Sequence, residues 1–398
     1  MVHPLLRQVY DLLPETTRDL VKAKVKPAVA RRRSMRAMQA LLCQDLQLTG
    51  VEPAISPVPA SIDDNQIVPR LMTAYRRAIS EAQATGDSMW TAFFEEKHGA
   101  IHHILMSDDV TAATSLFRNP GQTDFFYGFD TLVPEWLDYA KSPAWRDLNA
   151  RVAVDGLARF AIAAGLLRAP YPDAYAMGYG QRPNLDAASL IAAIESETGQ
   201  ALRFPNPYPD EHGAQTMRGI LSYRVNQALY QARRIKELTH GLANPRVLEI
   251  GGGLGRTAFY ARALGIRDYT IVDLPITAAA QGYFLARTLG DAEIALLGEA
   301  EIAEAKRIKL VSPQHFLNGS HSYDLIINAD SLTEMARDVA QAYIAKIAAC
   351  TSVFLSINHE FNSFTVRDIM RETYPDVPFT RHVYAMRDGY LEESCRFR

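Results

Sequence analysis

The sequence predicts an α/β chain in two parts: a mainly helical N-terminal region, then a Rossmann-like, doubly wound sheet at the C-terminus. Three observations carry this. After Pro245, short apolar runs at 246–250, 269–272, 293–297, 323–328 and 351–357 alternate with helical stretches, the pattern of an open parallel sheet. The first run opens into a glycine-rich loop, Gly251-Gly-Gly-Leu-Gly255. Upstream, residues 70–167 follow helical rather than strand spacing.

The chain has 398 residues, 48% of them apolar, which at ~150 residues per domain suggests two or three domains with sizeable cores. A formal net charge of −3 argues against whole-chain binding to nucleic acid, which needs a broad basic face. Cys43, Cys350 and Cys395 are scattered and unpaired by spacing, so no disulfide framework is expected. No apolar run approaches the ~20 residues of a membrane span. The N-terminus shows no apolar signal core before its charges, and a cytoplasmic location is expected.

Residues 1–49 read as a basic helical arm carrying Arg7, Arg18, Lys22, Lys24, Lys26, Arg31, Arg32, Arg33 and Arg36 against Asp11, Glu15 and Asp19. Such an arm suits weak contact with an anionic membrane surface, or is simply a solvated helix face. Residues 50–69, with Pro53, Pro57, Pro59 and Pro69, read as a linker, because proline denies both helix and ladder hydrogen bonds. Residues 70–213 form the mainly helical accessory region. It is broken by aromatic and proline-rich loops at 117–129, 169–183 and 204–213, which either stack on a ligand ring or close over a core. Thr216 to His240 reads as one long helix with Leu221, Val225, Ala228, Ala232 and Ile235 on a single stripe, stopped at Gly241. Residues 214–398 make the sheet domain. His98, His102 and His103, in a helical stretch without ligand spacing, read as structural.

The loop decides the ligand class. A dinucleotide fingerprint starting at Gly251 would want glycine or alanine where Arg256 stands, and a P-loop would need Lys-Ser or Lys-Thr. Instead Glu249 precedes the first glycine. A carboxylate there repels a pyrophosphate but suits a cationic ligand such as S-adenosylmethionine, with its sulfonium and ammonium. Asp273, at the tip of the second strand, is placed to accept ribose hydroxyls. Alone it would equally be a strand-end or capping residue; together with the loop it makes a nucleoside site.

With these residues in view, 247–290 resembles the cofactor half of class I S-adenosylmethionine-dependent methyltransferases. The resemblance implies a seven-strand-type methyltransferase sheet. Glu249 to Arg256, Ile271 to Pro275, Asn328 to Met335 and Ser356 to Glu360 are similar to the sugar O-methyltransferase family. Arg218 to Arg224 and Ala228 to Arg233 are similar to a helix of that family. The resemblance implies methyl transfer from S-adenosylmethionine to a hydroxyl of a sugar or sugar-containing metabolite. A phenolic or natural-product acceptor, suggested by Asp273-Leu-Pro275, and a catalytically silent scaffold are the alternatives.

Glu249, Gly251, Gly252, Gly253, Gly255, Asp273 and Asn328 are the expected cofactor residues. The acceptor should lie beyond the fourth and fifth strands, where polar groups gather. An alcohol needs a base to take its proton, and His359 is the first candidate, with Asp330 and Glu334 as bases or as partners of its ring. Glu334 could instead cap the helix expected after Ser331. Arg218, Tyr223, Arg224 and Asn358 are expected to bind the acceptor, or, for the arginines, to form interdomain ion pairs. Ser312 to His315 could flank the adenine. No metal-ligand spacing is present, and a small-molecule or saccharide partner, with self-association into a homo-oligomer, completes the expectation.

Overall fold

The computed structural model describes residues 26–43, 46–60, 63–82 and 89–397. Most of the basic arm therefore lies outside the described residues; its visible end is the helix Lys26–Gln39.

The C-terminal sheet has eight strands rather than seven: β1 (Arg246–Ile250), β2 (Asp268–Val272), β3 (Ile294–Leu296), β4 (Ile308–Val311), β5 (Leu325–Ala329), β6 (Val353–His359), β7 (Phe379–Val383) and β8 (Tyr390–Arg396). Their order is β7-β8-β6-β5-β1-β2-β4-β3, with only β8 antiparallel to its neighbours. The extra strand is the short edge strand β3. The central strands are buried on both faces, as β2 shows along its whole length, because helices cover both sides. The chain first winds outward from β1 through β2 to β4, then returns to β5 on the other side of β1. That reversal makes the carboxyl ends of β1 and β5 the switch point, where open sheets bind ligands. Register pairs Ile250 with both Val272 and Asn328, so the loops after β1, β2 and β5 leave the sheet side by side.

The helical half is not a separate body. Ile67–Glu81 packs on Pro275–Leu289, with Leu71 filling the space left by Gly282. Tyr223–Leu238 lies between Pro143–Ala163 and Arg256–Ala263. One apolar core runs from Ile67 through Phe125, Leu157 and Ala232 to Val247 and Leu285.

Two expectations need correction. Residues 50–69 are no plain linker: Pro53–Ile55 is an edge strand on His212–Thr216, and Ile67 already begins a helix. The long helix starts at Tyr223, not Thr216, because 212–221 folds into a hairpin, His212–Thr216 against Gly219–Leu221. Asn206 stabilises that hairpin by accepting from Ile220 N at 2.8 Å and donating to its carbonyl at 3.0 Å. Val225, Ala228, Ala232 and Ile235 are nevertheless buried as the stripe predicts. The aromatics of 117–129 mostly close over the core, with Phe125 and Phe126 fully buried.

Candidate active site

A cavity of about 420 Å³ opens at the switch point. Its sheet wall is made by Gly251, Gly253, Asp273, Asp330, Ser331 and Glu334, and its helical wall by Tyr75, Trp90, Phe94, His98 and Phe129.

The loop after β1 must be glycine at Gly251, where φ is +72° and a Cβ would overlap the Ser331 hydroxymethyl group. Gly255, at φ +85°, turns the chain into the helix Arg256–Ala263. Gly252 packs over Glu249 and Ile271. Glu249 itself does not reach the cavity. It lies beneath the loop, 2% exposed, where Tyr269 donates its hydroxyl at 2.9 Å and burial pushes its pKa up to about 7. The carboxylate expected to face a cationic ligand is thus placed under the glycine loop and not in the cavity lining. A charge in that buried position is costly, and the residue braces the loop from below.

Asp273 does line the cavity. Its Oδ1 accepts from Leu274 N at 2.8 Å and its Oδ2 from Gln281 Nε2 at 2.6 Å; burial pushes its pKa up to about 7. Gln281 also donates to Gly253 O at 2.9 Å, tying the two loops together. Sequence reading missed Gln281; its position two turns after Asp273, on the inward face of the next helix, was the available signal.

Asn328, fully buried, turns away from the cavity. It donates to Ile250 O at 3.1 Å and to Ser331 Oγ, and accepts from Asn358 at 2.9 Å. Asn328 and Asn358 therefore cross-link the ends of β1, β5 and β6, and neither lines the cavity.

Asp330 follows β5 with φ +57°, a strained value for a non-glycine residue that aims its carboxylate at the cavity. Tyr390 donates to its Oδ2 at 2.8 Å. His359 sits behind it, outside the cavity lining: its Nδ1 accepts from Phe361 N at 3.2 Å, which leaves the ring proton on Nε2, 3.5 Å from Asp330 Oδ1. That arrangement directs no lone pair at the cavity and sets the His359 ring against Asp330. Glu334, in the turn Leu332–Glu334, faces the cavity and caps no helix; the next helix starts at Arg337. Trp90 Nε1 donates to its Oε2 at 3.2 Å, and burial reinforced by Asp330 pushes its pKa up to about 8.

Of the expected acceptor residues only Arg224 lines the cavity, and its Nε is buried without a protein partner. Tyr223 stacks on Trp136, with ring centroids 6.5 Å apart. Arg218 is exposed on the hairpin and pairs with Glu195 at 2.8 Å. Arg256 proves to be a bridge between the two halves. It is buried against Phe284, paired with Asp130 and with Glu211 at 3.1 Å, which explains why no small residue stands there. Pro313 and Gln314 reach the cavity and His315 does not. Among the described residues no group of three or more His, Cys, Asp or Glu is placed to hold a metal, and no helix is long and apolar enough to cross a membrane.

No protein-family model and no curated protein matches the chain, so nothing beyond its motifs links it to the sugar O-methyltransferases. Among solved structures it is similar to magnesium protoporphyrin IX methyltransferase from Synechocystis PCC 6803 with bound SAH, at 12% identity over 43% of this chain and 87% of that one, TM-score 0.32. The plantazolicin methyltransferase BpumL in complex with SAH gives 11% identity, 44% and 85% coverage and TM-score 0.33. The methyltransferase domain of bacterial CtHen1 gives 12%, 43% and 99%, with TM-score 0.32.

Proposed function

We propose that the chain is an S-adenosylmethionine-dependent O-methyltransferase. The carrying observation is that a nucleoside-type cradle and an ionisable carboxyl tuned to about 8 share one cavity. The residues present fit the cofactor. Gly251 and Gly253 let a ligand approach the backbone closely. Asp273 lines the cavity, held by Leu274 N and Gln281 with Gly252 N and Thr277 also bonding it, and as the strand-tip carboxylate it is the group placed to accept ribose hydroxyls. Pro313, Gln314 and Leu317 border the side available to adenine. When bound, the cofactor supplies a methyl group already activated on a sulfonium.

The protein must then hold a hydroxyl in line and take its proton. Glu334 is the base in this reading, because a carboxyl near 8 is a stronger base than an ordinary one. Asp330, oriented by Tyr390 and His359, and Arg224 set the charge around it. The helical region 70–213 lends the acceptor its aromatic wall through Trp90, Phe94 and Phe129.

The sugar acceptor that the sequence motifs imply would need partners for many hydroxyls, each costing about 1–3 kcal/mol if buried unpaired. A wall of Tyr75, Ile79, Trp90, Phe94 and Phe129 supplies few, and this favours a phenolic or otherwise apolar-faced ring carrying a hydroxyl. Calorimetry tests the first half: saturable binding of S-adenosylmethionine and SAH is expected, and preference for ATP or NAD, or no binding, overturns the proposal in favour of a silent scaffold. Transfer of a labelled methyl group to phenols over methyl glycosides tests the second. The reverse preference restores the saccharide reading.

A further inference from the structure

Resting on that methyltransferase reading, we propose that His98 is the acceptor-recognition residue: its Nε2 receives a second polar hydrogen of the acceptor, so the acceptor is a ring bearing two hydroxyls. The side chain is 1% exposed and lines the switch-point cavity, and its Nε2 has no hydrogen-bond partner in the protein. Backbone groups of Asp124 and Tyr127 hydrogen-bond the ring, and with Nε2 unpartnered, on this proposal the ring proton sits on Nδ1 and the lone pair on Nε2. Burial lowers the pKa, keeping the ring neutral and the lone pair available near neutral pH. A buried acceptor atom without a donor costs stability, and a ligand O–H in the cavity would remove that cost.

The neighbouring polar groups on this wall already have partners. Tyr75 OH lies 2.8 Å from His102 Nδ1, and Trp90 Nε1 is held by Glu334. The indole packs against the Cα of Gly128, where a Cβ would come within 3.0 Å of its ring. The backbone of Tyr127, next to Gly128, in turn bonds His98. Glu334, with Trp90 bonded to it, and His98 line the same cavity, so one ring carrying two hydroxyls is the ligand that would serve both. His98 ends a π-turn, Phe94–His98, inserted between two α-helical segments; such turns re-aim side chains and are frequent at functional sites.

The test uses the full chain saturated with SAH and two probes, resorcinol and 3-methylphenol, which differ by one hydroxyl. Resorcinol should bind at least about tenfold more tightly, the preference expected of a site built around a hydrogen bond. It should also move the ¹⁵N resonance of His98 Nε2, which should be unprotonated before addition. In His98→Leu the preference should fall to within about twofold while SAH affinity is unchanged. Equal binding of the two probes, a protonated Nε2, or a resonance that ignores bound resorcinol overturns the assignment. Should the leucine variant not fold, the wild-type preference and the resonance decide alone. Failure of SAH itself to bind strikes the methyltransferase reading instead, so the two failures are distinguishable.

Discussion

On the sheet wall of the cavity the polar groups are tied to one another. Gln281 joins Asp273 to the glycine loop, Asn328 joins Ser331 to Ile250, and Tyr390 and His359 hold Asp330. On the helical wall, large rings touch edge to face, Trp90 on Phe93 and Phe94 on His102, and a buried nitrogen is left over at His98, as at Arg224 on the adjoining helix. Hydrogen-bonded walls are stiff and demand one geometry. Aromatic walls grip by area and tolerate variation. On the proposed function, the difference matches a division in which the cofactor lies on the sheet side and the acceptor against the helices.

The strongest way to break the sheet wall is Gly251→Ala. The new methyl meets both a left-handed φ and the Ser331 side chain, so titration should detect no SAH binding while circular dichroism stays native. Adding Ser331→Gly removes the overlap but not the φ strain, and partial recovery is expected. Wild-type affinity in the single variant would show that the loop cradles nothing.

Next is Glu334→Gln, which should lower turnover by about 100- to 1,000-fold, the usual worth of a general base. Burial raises this carboxyl to about 8, so its basic form is scarce below that pH and complete above it. Wild-type turnover should climb about tenfold per pH unit up to 8 and then level, and the glutamine variant should lose that climb. A flat wild-type profile removes Glu334 from the role.

How much of this was legible in the chain differs wall by wall. Gly251 and Asp273 announce themselves because their demands are local: a positive φ at a strand-to-helix turn, and a carboxylate at a strand tip. Glu249 was visible but its bond to Tyr269 was not, since the alternation of a doubly buried strand does not say which side chain on the neighbouring strand it meets. Trp90 left no sequence signal, and His98 was read only as structural. Their roles arise from packing a helix segment more than 150 residues upstream against the loop after β5, and a π-turn has no period to detect. Arg256 was noticed only as the wrong residue for a dinucleotide loop. Its reason, Asp130 and Glu211, lies in the other half of the chain.

That bridge offers the third experiment, aimed at the join between the walls. Arg256→Ala leaves two buried carboxylates facing each other without their cation, and a cost of about 3–5 kcal/mol is expected in denaturant unfolding. Asp130 is held low by Arg256, Glu211 is pushed up by burial, and without the guanidinium both should rise. The variant should therefore recover stability as pH falls, opposite to the loss on acidification expected wherever a paired carboxylate must be protonated. A change below about 1 kcal/mol would mean that the halves are joined by the apolar core alone.

The smallest effect should come from His359, and its smallness is the informative part. A base at this position would lose at least about a hundredfold in turnover on removal. The structure gives it an accepted backbone hydrogen bond on Nδ1 and a 3.5 Å approach to Asp330, with Tyr390 already holding that carboxylate from the other side. His359→Ala should then cost about tenfold or less and leave the pH profile of Glu334 in place. His359→Asn should recover part of the loss, because an amide can still donate to Asp330. A hundredfold loss with a vanished pH dependence would move the base from the turn after β5 to the end of β6, and the sheet wall would then hold the acceptor by a histidine after all.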